Sequence, residues 1–485
     1  VETELKFQVP AAASAAVQRA VATASAVRTP LRAVYFDTED RRLAAAGFAL
    51  RLRREGEGWV QTLKGRGDGL ARRLEDEVPL GRGRGEPRLD IARHAGTPAG
   101  TALATLLADG AALHALYRTA IERAHRRVRH AGAVIEIAHD RGRIEAGAEK
   151  VPVDEIEFEL VKGPPQALPA LAARWAERHG LWWDVRTKSE RGFRLATGAL
   201  QVPAVRAQAA VLPAGEGVFE VWQSTLAATL AQALPNAAEI AAGTDTPEHL
   251  HQLRVALRRL RTALLLMAPW GGDEAAALAL EREWAACFGE LGAARDTDVI
   301  EARFAPLLAA AGAPAVALAR EGQALPPGDV VRGAAFTRAA LGTLALALAA
   351  PPAASAPRRH AADALLQGAW RKAWADARAF ERAEAEGRHR ARKRIKRLRY
   401  AFEFVAPLYG EKAGRRFQKA LGRALEALGD LNDMQVASAR YREAARSDPG
   451  AWFAVGWLRA RHEAALAGAL ESLAKLKAAP KPWRG

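Results

Sequence analysis

Charged and apolar residues alternate at every second position through much of the chain up to about Gly192. Glu2, Glu4 and Lys6 alternate with Thr3, Leu5 and Phe7, and Arg51 and Arg53 with Leu50 and Leu52. Glu155, Glu157 and Glu159 alternate with Ile156, Phe158 and Leu160. Successive side chains on a strand point to opposite faces, so this pattern predicts half-buried strands. Glycines within 56–58 and 65–69 predict turns between them, and helical patches fall at residues 12–24, 101–107 and 166–179. From Gly217 onward alanine, leucine and arginine recur with a period of about 3.6, which predicts helix almost throughout. Residues 202–215, with Pro203 and Pro213 inside and Gly217 just beyond, read as a linker. Residues 326–328 and 351–357 are a second, proline-rich break near the middle of the helical half. The expected division is a strand-rich domain at 1–200, a linker at 201–216 and a helical domain at 217–485.

The helical half repeats itself. His251-Gln-Leu-Arg254-Val-Ala-Leu-Arg258-Arg259-Leu-Arg261 aligns with His389-Arg-Ala-Arg392-Lys-Arg-Ile-Lys396-Arg397-Leu-Arg399, from 251 to 389. Leu291-Gly-Ala-Ala-Arg295-Asp296-Thr-Asp298-Val299 aligns with Leu428-Gly-Asp-Leu-Asn432-Asp433-Met-Gln435-Val436, from 291 to 428. Two matches at nearly one offset predict two related helical bundles, at about 217–345 and 358–485, related by a pseudo-two-fold axis.

An ordinary sheet would bury the apolar face of its strands and leave the charged face in water. Here the signs are segregated by strand. Carboxylates cluster as Glu2 with Glu4, Glu136 with Asp140, and Glu157 with Glu159, while Arg51 with Arg53, Lys64, Arg73 and Arg123 lie on others. A solvated surface gives no reason for that, whereas a closed barrel with a charged lumen and an apolar outside wrapped by helices does. Carboxylates without histidine or cysteine select a hard cation such as magnesium or manganese. Forked arginines facing them suit a polyanion with several phosphates.

These residues resemble the CYTH, or triphosphate tunnel metalloenzyme, family. Glu2-Thr-Glu4-Leu-Lys6 looks like its ExExK opening, and the agreement continues in order through Tyr35-Phe36-Asp37-Thr38, Arg51-Leu-Arg53, Thr62-Leu63-Lys64-Gly65 and Arg73-x-Glu75-x-Glu77. It runs on through Arg123, Glu136 to Asp140-Arg-Gly142, Glu155-x-Glu157-x-Glu159-Leu160 and Lys188-Ser-Glu-Arg191-Gly. The resemblance implies an eight-stranded antiparallel tunnel that hydrolyses a phosphoanhydride with Mg2+ or Mn2+. It implies that Glu2, Glu4 and Glu159 hold a metal, and that Asp140 and Glu157 hold a second one or orient the attacking water. Lys6, Arg51, Arg53, Lys64, Arg73, Arg123 and Lys188 would grip the phosphates, with Lys6, Asp140 and Glu157 nearest the chemistry. Phosphoryl transfer needs positioning and charge neutralisation rather than a covalent nucleophile, and no serine, cysteine or histidine constellation competes. Two positions depart from the family pattern: Asp76 stands where an aromatic is usual and His139 where an aliphatic is. Both have outward parity, which puts local packing in question rather than the lumen.

In the first repeat His251, Arg254, Arg258 and Arg261 fall within an arc of about 80° on a helix, and His389, Arg392, Lys396 and Arg399 repeat the spacing. From Arg388 to Arg399 there are eight cations and no acid, and such density repels itself unless water or a polyanion neutralises it. This pattern resembles the CHAD domain over about 217–475, and the resemblance implies that these eight residues bind inorganic polyphosphate in a basic groove. A histidine beside phosphate favours its charged form, so binding is expected to weaken as pH rises. Arg295-Asp296-x-Asp298 and Asn432-Asp433 are expected in acidic turns after helices, where a role in orienting the cations is preferred over a catalytic pair.

The 485 residues are 26% charged and 49% apolar, with a formal net charge of +16, which favours an anionic partner and excludes a strongly basic one. High alanine and arginine reflect nucleotide composition as much as function, so part of that charge carries no functional weight. One cysteine, Cys287, excludes an internal disulfide framework and a thiolate zinc cluster and fits a reducing compartment. No apolar run reaches about 18 residues, so no membrane span is expected. The chain opens inside a strand, so no signal peptide is expected. The expected function is hydrolysis of inorganic triphosphate in the tunnel with polyphosphate bound by the helices, in the cytoplasm, with association with polyphosphate granules open. The alternatives are a polyphosphate-binding protein with a vestigial tunnel, a nucleotide triphosphatase or adenylate cyclase, and a nucleic-acid binder. The last ranks low because neither basic stripe interleaves aromatics for base stacking.

Overall fold

In the computed structural model, residues 2–66, 72–83, 85–199, 201–209, 211–212, 217–293, 296–319, 325–352 and 355–484 are described; for residues 2, 66, 72–74, 293 and 296–299 this is backbone only. The expected Glu2 and Arg73 side chains, the Arg295-Asp296-x-Asp298 motif side chains and most of the 65–69 turn therefore lie outside the described residues. The chain forms two compact units. One comprises residues 1–207, 230–253 and 328–349, and the other residues 208–229, 254–327 and 350–485.

In the first unit the strands are β1 (Glu2–Gln8), β2 (Val27–Asp37), β3 (Ala49–Glu55), β4 (Gly58–Arg66), β5 (Arg72–Arg82), β6 (His114–His130), β7 (Ala133–Ala146), β8 (Glu149–Lys162) and β9 (Trp182–Trp183). They run β5-β4-β3-β2-β6-β7-β8-β1-β9, and β1 also pairs with β5, so eight antiparallel strands close into a ring and β9 is appended to β1. The ring is the expected eight-stranded antiparallel barrel. Its outside is apolar because the alternate positions Leu5, Phe7, Ile156 and Phe158 are essentially fully buried. The helices of this part of the chain are α1 (Ser14–Val21), α2 (Arg42–Ala45), α3 (Pro98–Leu106), α4 (Ala167–His179) and α5 (Lys188–Thr197). Of these α4 covers β1 and β8, where Phe158 meets Trp175 edge-to-face at 5.9 Å. Helix α3 starts one turn earlier than the pattern predicts because Thr97 caps it, its side chain accepting from Gly100 N.

The two departures from the family pattern do point outward, and each is matched by a partner elsewhere. Asp76 Oδ2 lies 2.6 Å from Nδ1 of the fully buried His94, and His139, also fully buried, places Nε2 2.7 Å from Asp154 Oδ1. Each polar intruder under the outer layer thus has a hydrogen-bonded partner, although His139 Nδ1 is buried without one among the described residues.

Helix α5 was not evident from the alternation. It is fixed by a capping box, in which Thr187 accepts from Glu190 N while the Glu190 side chain accepts from Thr187 N. Its Phe193, Leu195 and Ala196 pack on Leu31, Ala33, Tyr35, Tyr117, Ile121, Ile144, Ala146 and Val153, all of lumen parity, so α5 fills one end of the barrel with apolar side chains.

The rest of the chain is helical: α6 (Val218–Ala242), α7 (Pro247–Leu266), α8 (Glu274–Ala293), α9 (Asp296–Ala310), α10 (Pro327–Arg332), α11 (Ala334–Ala347), α12 (Arg358–Ala377), α13 (Ala385–Val405), α14 (Glu411–Ala444) and α15 (Ala451–Ala478). Helix α11 packs on α4 and belongs to the first unit, as do residues 230–253 of α6 and α7. In the second unit the buried Arg259 of α7 pairs with Glu403 of α13 at 2.8 Å, joining elements of the two repeats. Asn432 and Asp433 lie inside α14, not in a turn, because nothing between Glu411 and Ala444 stops that helix. Asp296 opens α9.

Candidate functional site

The lumen of the barrel and its mouth form a cavity of about 1110 Å³ lined by Glu4, Lys6, Arg51, Arg53, Lys64, Arg123, Glu136, Asp140, Glu157, Glu159 and Lys188. Register explains why they meet. Glu4 stands opposite Glu159, which stands opposite Glu136; Lys6 stands opposite Glu157; and Gln8, Glu155, Asp140 and Arg123 form a third row across β1, β8, β7 and β6. In a closed ring of eight, β8 and β7 lie across the lumen from β3 and β4. The carboxylate strands therefore face those carrying Arg51, Arg53 and Lys64.

Arg123 forks onto Asp140, with Nε and Nη2 each 2.7 Å from a carboxylate oxygen, and Nη2 also reaches Glu157. Lys188, at the first position of α5, lies 2.7 Å from both Asp140 and Glu157 and contacts Glu155 as well. Burial alone would raise the Glu157 carboxyl, but Lys188 and Arg123 hold it well below the usual carboxylate range. The same contest lowers Asp140, and burial of Lys188 is outweighed by Asp140, Glu155 and Glu157, which raise its pKa well above the usual lysine value. Lys6 donates from Nζ to the carbonyl oxygen of Arg186, whose guanidinium pairs with the buried Asp184 at 2.9 Å.

On the facing wall Lys64 lies 2.7 Å from Glu75, and Arg53 3.1 Å from Glu77. Arg51 donates to Tyr35 Oη at 3.3 Å. Among the described residues Arg51 Nε and Arg53 Nε are buried without a hydrogen-bond acceptor, and burial together with Arg51 and Arg123 lowers the pKa of Arg53. Donors left in that state fit an incoming anion.

Of the expected acidic set, Glu4 and Glu159 line the cavity beside one another. Glu155, Asp140 and Glu157 present oxygens all within 4.8 Å of one another. Glu155 was missed as a site residue although it shares the parity of Glu157 and Glu159; it is held by Lys188 and by Arg191 at 3.2 Å. Glu75 and Glu77, also missed, share the parity of Arg73. Pro235, Asn236, Glu239 and His249, from the helical half, line the cavity within the same unit, and nothing in the strand pattern could have brought them there. Such an oxygen-only donor set fits a hard divalent cation.

In the second unit Arg254, Arg258 and Arg261 follow one another along α7, three residues beyond His251. On α13 His389 is exposed, its Nδ1 2.9 Å from Asn432 Oδ1. Lys396 is pushed down to about 7, chiefly by burial and then by Arg258, its counterpart in the repeat, and by Arg392 and Arg399. Both stripes therefore act on one place. Asp433 accepts from Arg303 of α9 at 2.5 Å.

A closed antiparallel ring with a lumen of opposed acids and bases, followed in the chain by helices bearing paired basic stripes, defines a class of protein that joins a charged tunnel to a basic helical domain. The CYTH domain model matches residues 1–193 and the CHAD domain model residues 224–442, so the chain is a CYTH domain followed by a CHAD domain. The inorganic triphosphatase of Haemophilus influenzae is 30% identical over 168 residues, which take in 33% of this chain and 44% of that relative. The chain is also similar to the CHAD domain of the plant Ricinus communis, at 30% identity over 57% of this chain and 99% of that one, with a TM-score of 0.44. A Hippeastrum protein described as having a dominant triphosphatase activity is 19% identical over 41% of this chain and 96% of that one, with a TM-score of 0.31. Among the described residues no helix is long and apolar enough to cross a membrane.

Proposed function

We propose that the barrel hydrolyses inorganic triphosphate with a divalent cation, Mg2+ or Mn2+, and that the basic stripes of α7 and α13 bind inorganic polyphosphate. The observation that carries the first part is the closed ring in which Asp140, Glu157, Glu159 and Glu4 share one cavity with Arg51, Arg53, Lys64 and Arg123. Glu2, Glu4 and Glu159 would hold the ion, with Asp140, Glu155 and Glu157 a second group of fitting donors. Such an ion, when bound, supplies charge neutralisation on the phosphate oxygens.

Arg51, Arg53 and Lys64 bind the phosphate chain from the wall opposite Asp140 and Glu157, Arg73 is assigned to the same grip, and Lys6, Arg123 and Lys188 extend it to the acidic side. Asp140 and Glu157 are ionised across the working range. With pKa values held down by Arg123 and Lys188 they are weak proton acceptors, so their part is to orient a water rather than to deprotonate it. Most of the catalysis is then positioning and fixed charge. The apolar fill around Phe193 excludes water from one end of the lumen.

For the helices, the supporting observation is that Arg258, Arg392, Lys396 and Arg399 from both repeats bear on one another with Asp433 as the facing acid. The test is phosphate release from triphosphate, ATP, thiamine triphosphate and long polyphosphate, each with Mg2+, with Mn2+ and in excess chelator. Release from triphosphate that stops with chelator is expected. Turnover in chelator would overturn the metal requirement, and preference for ATP would shift the reading to a nucleotide triphosphatase.

A further inference from the structure

The three arginines of the first stripe share one aromatic ring. The guanidinium carbons of Arg254, Arg258 and Arg261 lie 4.8, 5.8 and 5.6 Å from the centroid of Phe288 on α8. The rest of α8 completes the arrangement. Arg254 Nη1 donates to Leu291 O at 2.7 Å, and a Cβ at Gly292 would come within 2.9 Å of that nitrogen, so the close approach depends on glycine. Arg261 is held by Glu281, with Nε at 3.0 Å and Nη2 at 2.9 Å. Among the described residues Arg258 has no such acid, and its buried Nε has no hydrogen-bond acceptor.

Like charges this close repel. An aromatic face offsets part of that through its quadrupole and leaves the charge in place, whereas Glu281 neutralises Arg261 directly. The repeat provides an internal comparison. At the spacing that aligns Leu291-Gly292 with Leu428-Gly429, Phe288 corresponds to Leu425. The corresponding place in the second repeat is therefore aliphatic, and the melting curves below separate a packing role of the ring from its role toward the arginines. In the second half Arg399 stacks instead on its own neighbour Tyr400, at 4.8 Å.

We propose that Phe288 is a positioning residue for linear polyphosphate: its ring gathers Arg254, Arg258 and Arg261 into a rank set before the ligand arrives. This rests on the reading of the basic stripes as a polyphosphate site. Side chains ordered in advance do not lose their freedom on binding, so the gain appears as affinity without any added charge.

The test is equilibrium binding of long-chain inorganic polyphosphate to the full chain across a salt series, for wild type, Phe288→Leu, Phe288→Met and Phe288→Tyr, with a melting curve for each. Phe288→Leu and Phe288→Met are expected to bind about tenfold more weakly at every salt concentration (~1.4 kcal/mol). The slope of log affinity against log salt, which counts the phosphate charges neutralised, should be unchanged. Phe288→Tyr should restore wild-type affinity. Wild-type binding with Phe288→Leu and Phe288→Met both within twofold of it overturns the proposal. So does a tyrosine variant as weak as the leucine variant at equal melting temperature, or a shallower slope in the ring-less variants. Failure of the wild type itself to bind overturns the underlying reading, and this proposal with it.

Discussion

Arg123 and Asp140 stand opposite each other on β6 and β7 and close a two-pronged ion pair, 2.7 Å at each contact, at the centre of the acidic wall. The Asp140 side chain is 1% exposed, so its charge is balanced by Arg123 and Lys188 rather than by water. Replacing one member of a buried pair leaves the other charge uncompensated, at a cost of about 3–5 kcal/mol. Asp140→Asn is expected to lower the unfolding free energy by about 3 kcal/mol, the smaller end because Glu155 and Glu157 still face the cations. Triphosphate turnover should fall at least about 100-fold. Denaturant melts and phosphate release check the two effects separately. The carboxyl pKa values of Asp140 and Glu157 are lowered in the fold, so their stabilising effect is fully present above the unfolded values, about 4 to 4.5, and is lost as pH falls through the depressed ones. A melt that weakens only in strong acid is the expected sign.

Lys6 and Glu4 test the lumen without touching the barrel's packing. Both side chains share the inward face of β1, while Leu5 and Phe7 between them are the buried outer positions. Lys6→Ala and Glu4→Ala should each reduce phosphate release by about 100-fold or more with circular dichroism close to wild type, and Lys6→Ala, which loses the bond to the Arg186 carbonyl, should also melt at a lower temperature. Turnover near the wild-type rate in either folded variant would remove the tunnel from the mechanism.

The same parity argument made most of this site legible in the sequence. Alternation put Glu4, Lys6, Arg51, Arg53, Asp140 and Glu157 on one face of their strands, and sign segregation implied that this face was an interior. Contacts between residues distant in sequence were not legible. Asp76 and His139 looked like misfits because their partners, His94 and Asp154, sit on other elements. Lys188 was expected to grip phosphate, but its tether to three carboxylates depends on α5, whose helical start was signalled only by Thr187 and Glu190. Asn432 and Asp433 were expected in a turn because the motif was polar, yet a polar segment continues a long helix when no proline or capping residue stops it. Phe288 was absent from every candidate set, since an aromatic on α8 shows no link to arginines on α7 until the two helices are packed.

Charge reversal separates a groove from a solvated face. Arg254 and Arg392 are repeat counterparts, and each guanidinium approaches a glycine on the following long helix, Gly292 and Gly429 respectively. Combined Arg254→Glu and Arg392→Glu substitution changes the charge of the stripes by four and places acids among the remaining cations. Retention on immobilised long polyphosphate at moderate salt is expected to disappear while the far-ultraviolet spectrum is kept. Retention equal to wild type would mean that the polyanion binds elsewhere.

The pH dependence of polyphosphate binding rests more firmly on Lys396 than on the histidines that lead each stripe. The Lys396 ammonium is pushed down to about 7 by burial, by Arg258 from α7 and by Arg392 and Arg399 on its own helix, with Asp433 of α14 the acid opposing them. In the free protein the side chain is therefore largely neutral above pH 7, and a polyanion that seats against it restores the charged form. Binding then takes up a proton, and affinity falls as pH rises from about 7 toward the ordinary lysine value near 10.5, by up to about tenfold per pH unit. The unliganded fold responds with the opposite sign. Its Lys396 binds fewer protons than the unfolded chain over that window, so this residue's effect on stability becomes more favourable as pH rises. Calorimetry at pH 8 in buffers of different ionisation enthalpy should record close to one proton taken up per site, and Lys396→Met should abolish that uptake. Full-strength binding from pH 7 to pH 9 with no proton exchange would show that Lys396 does not meet the ligand.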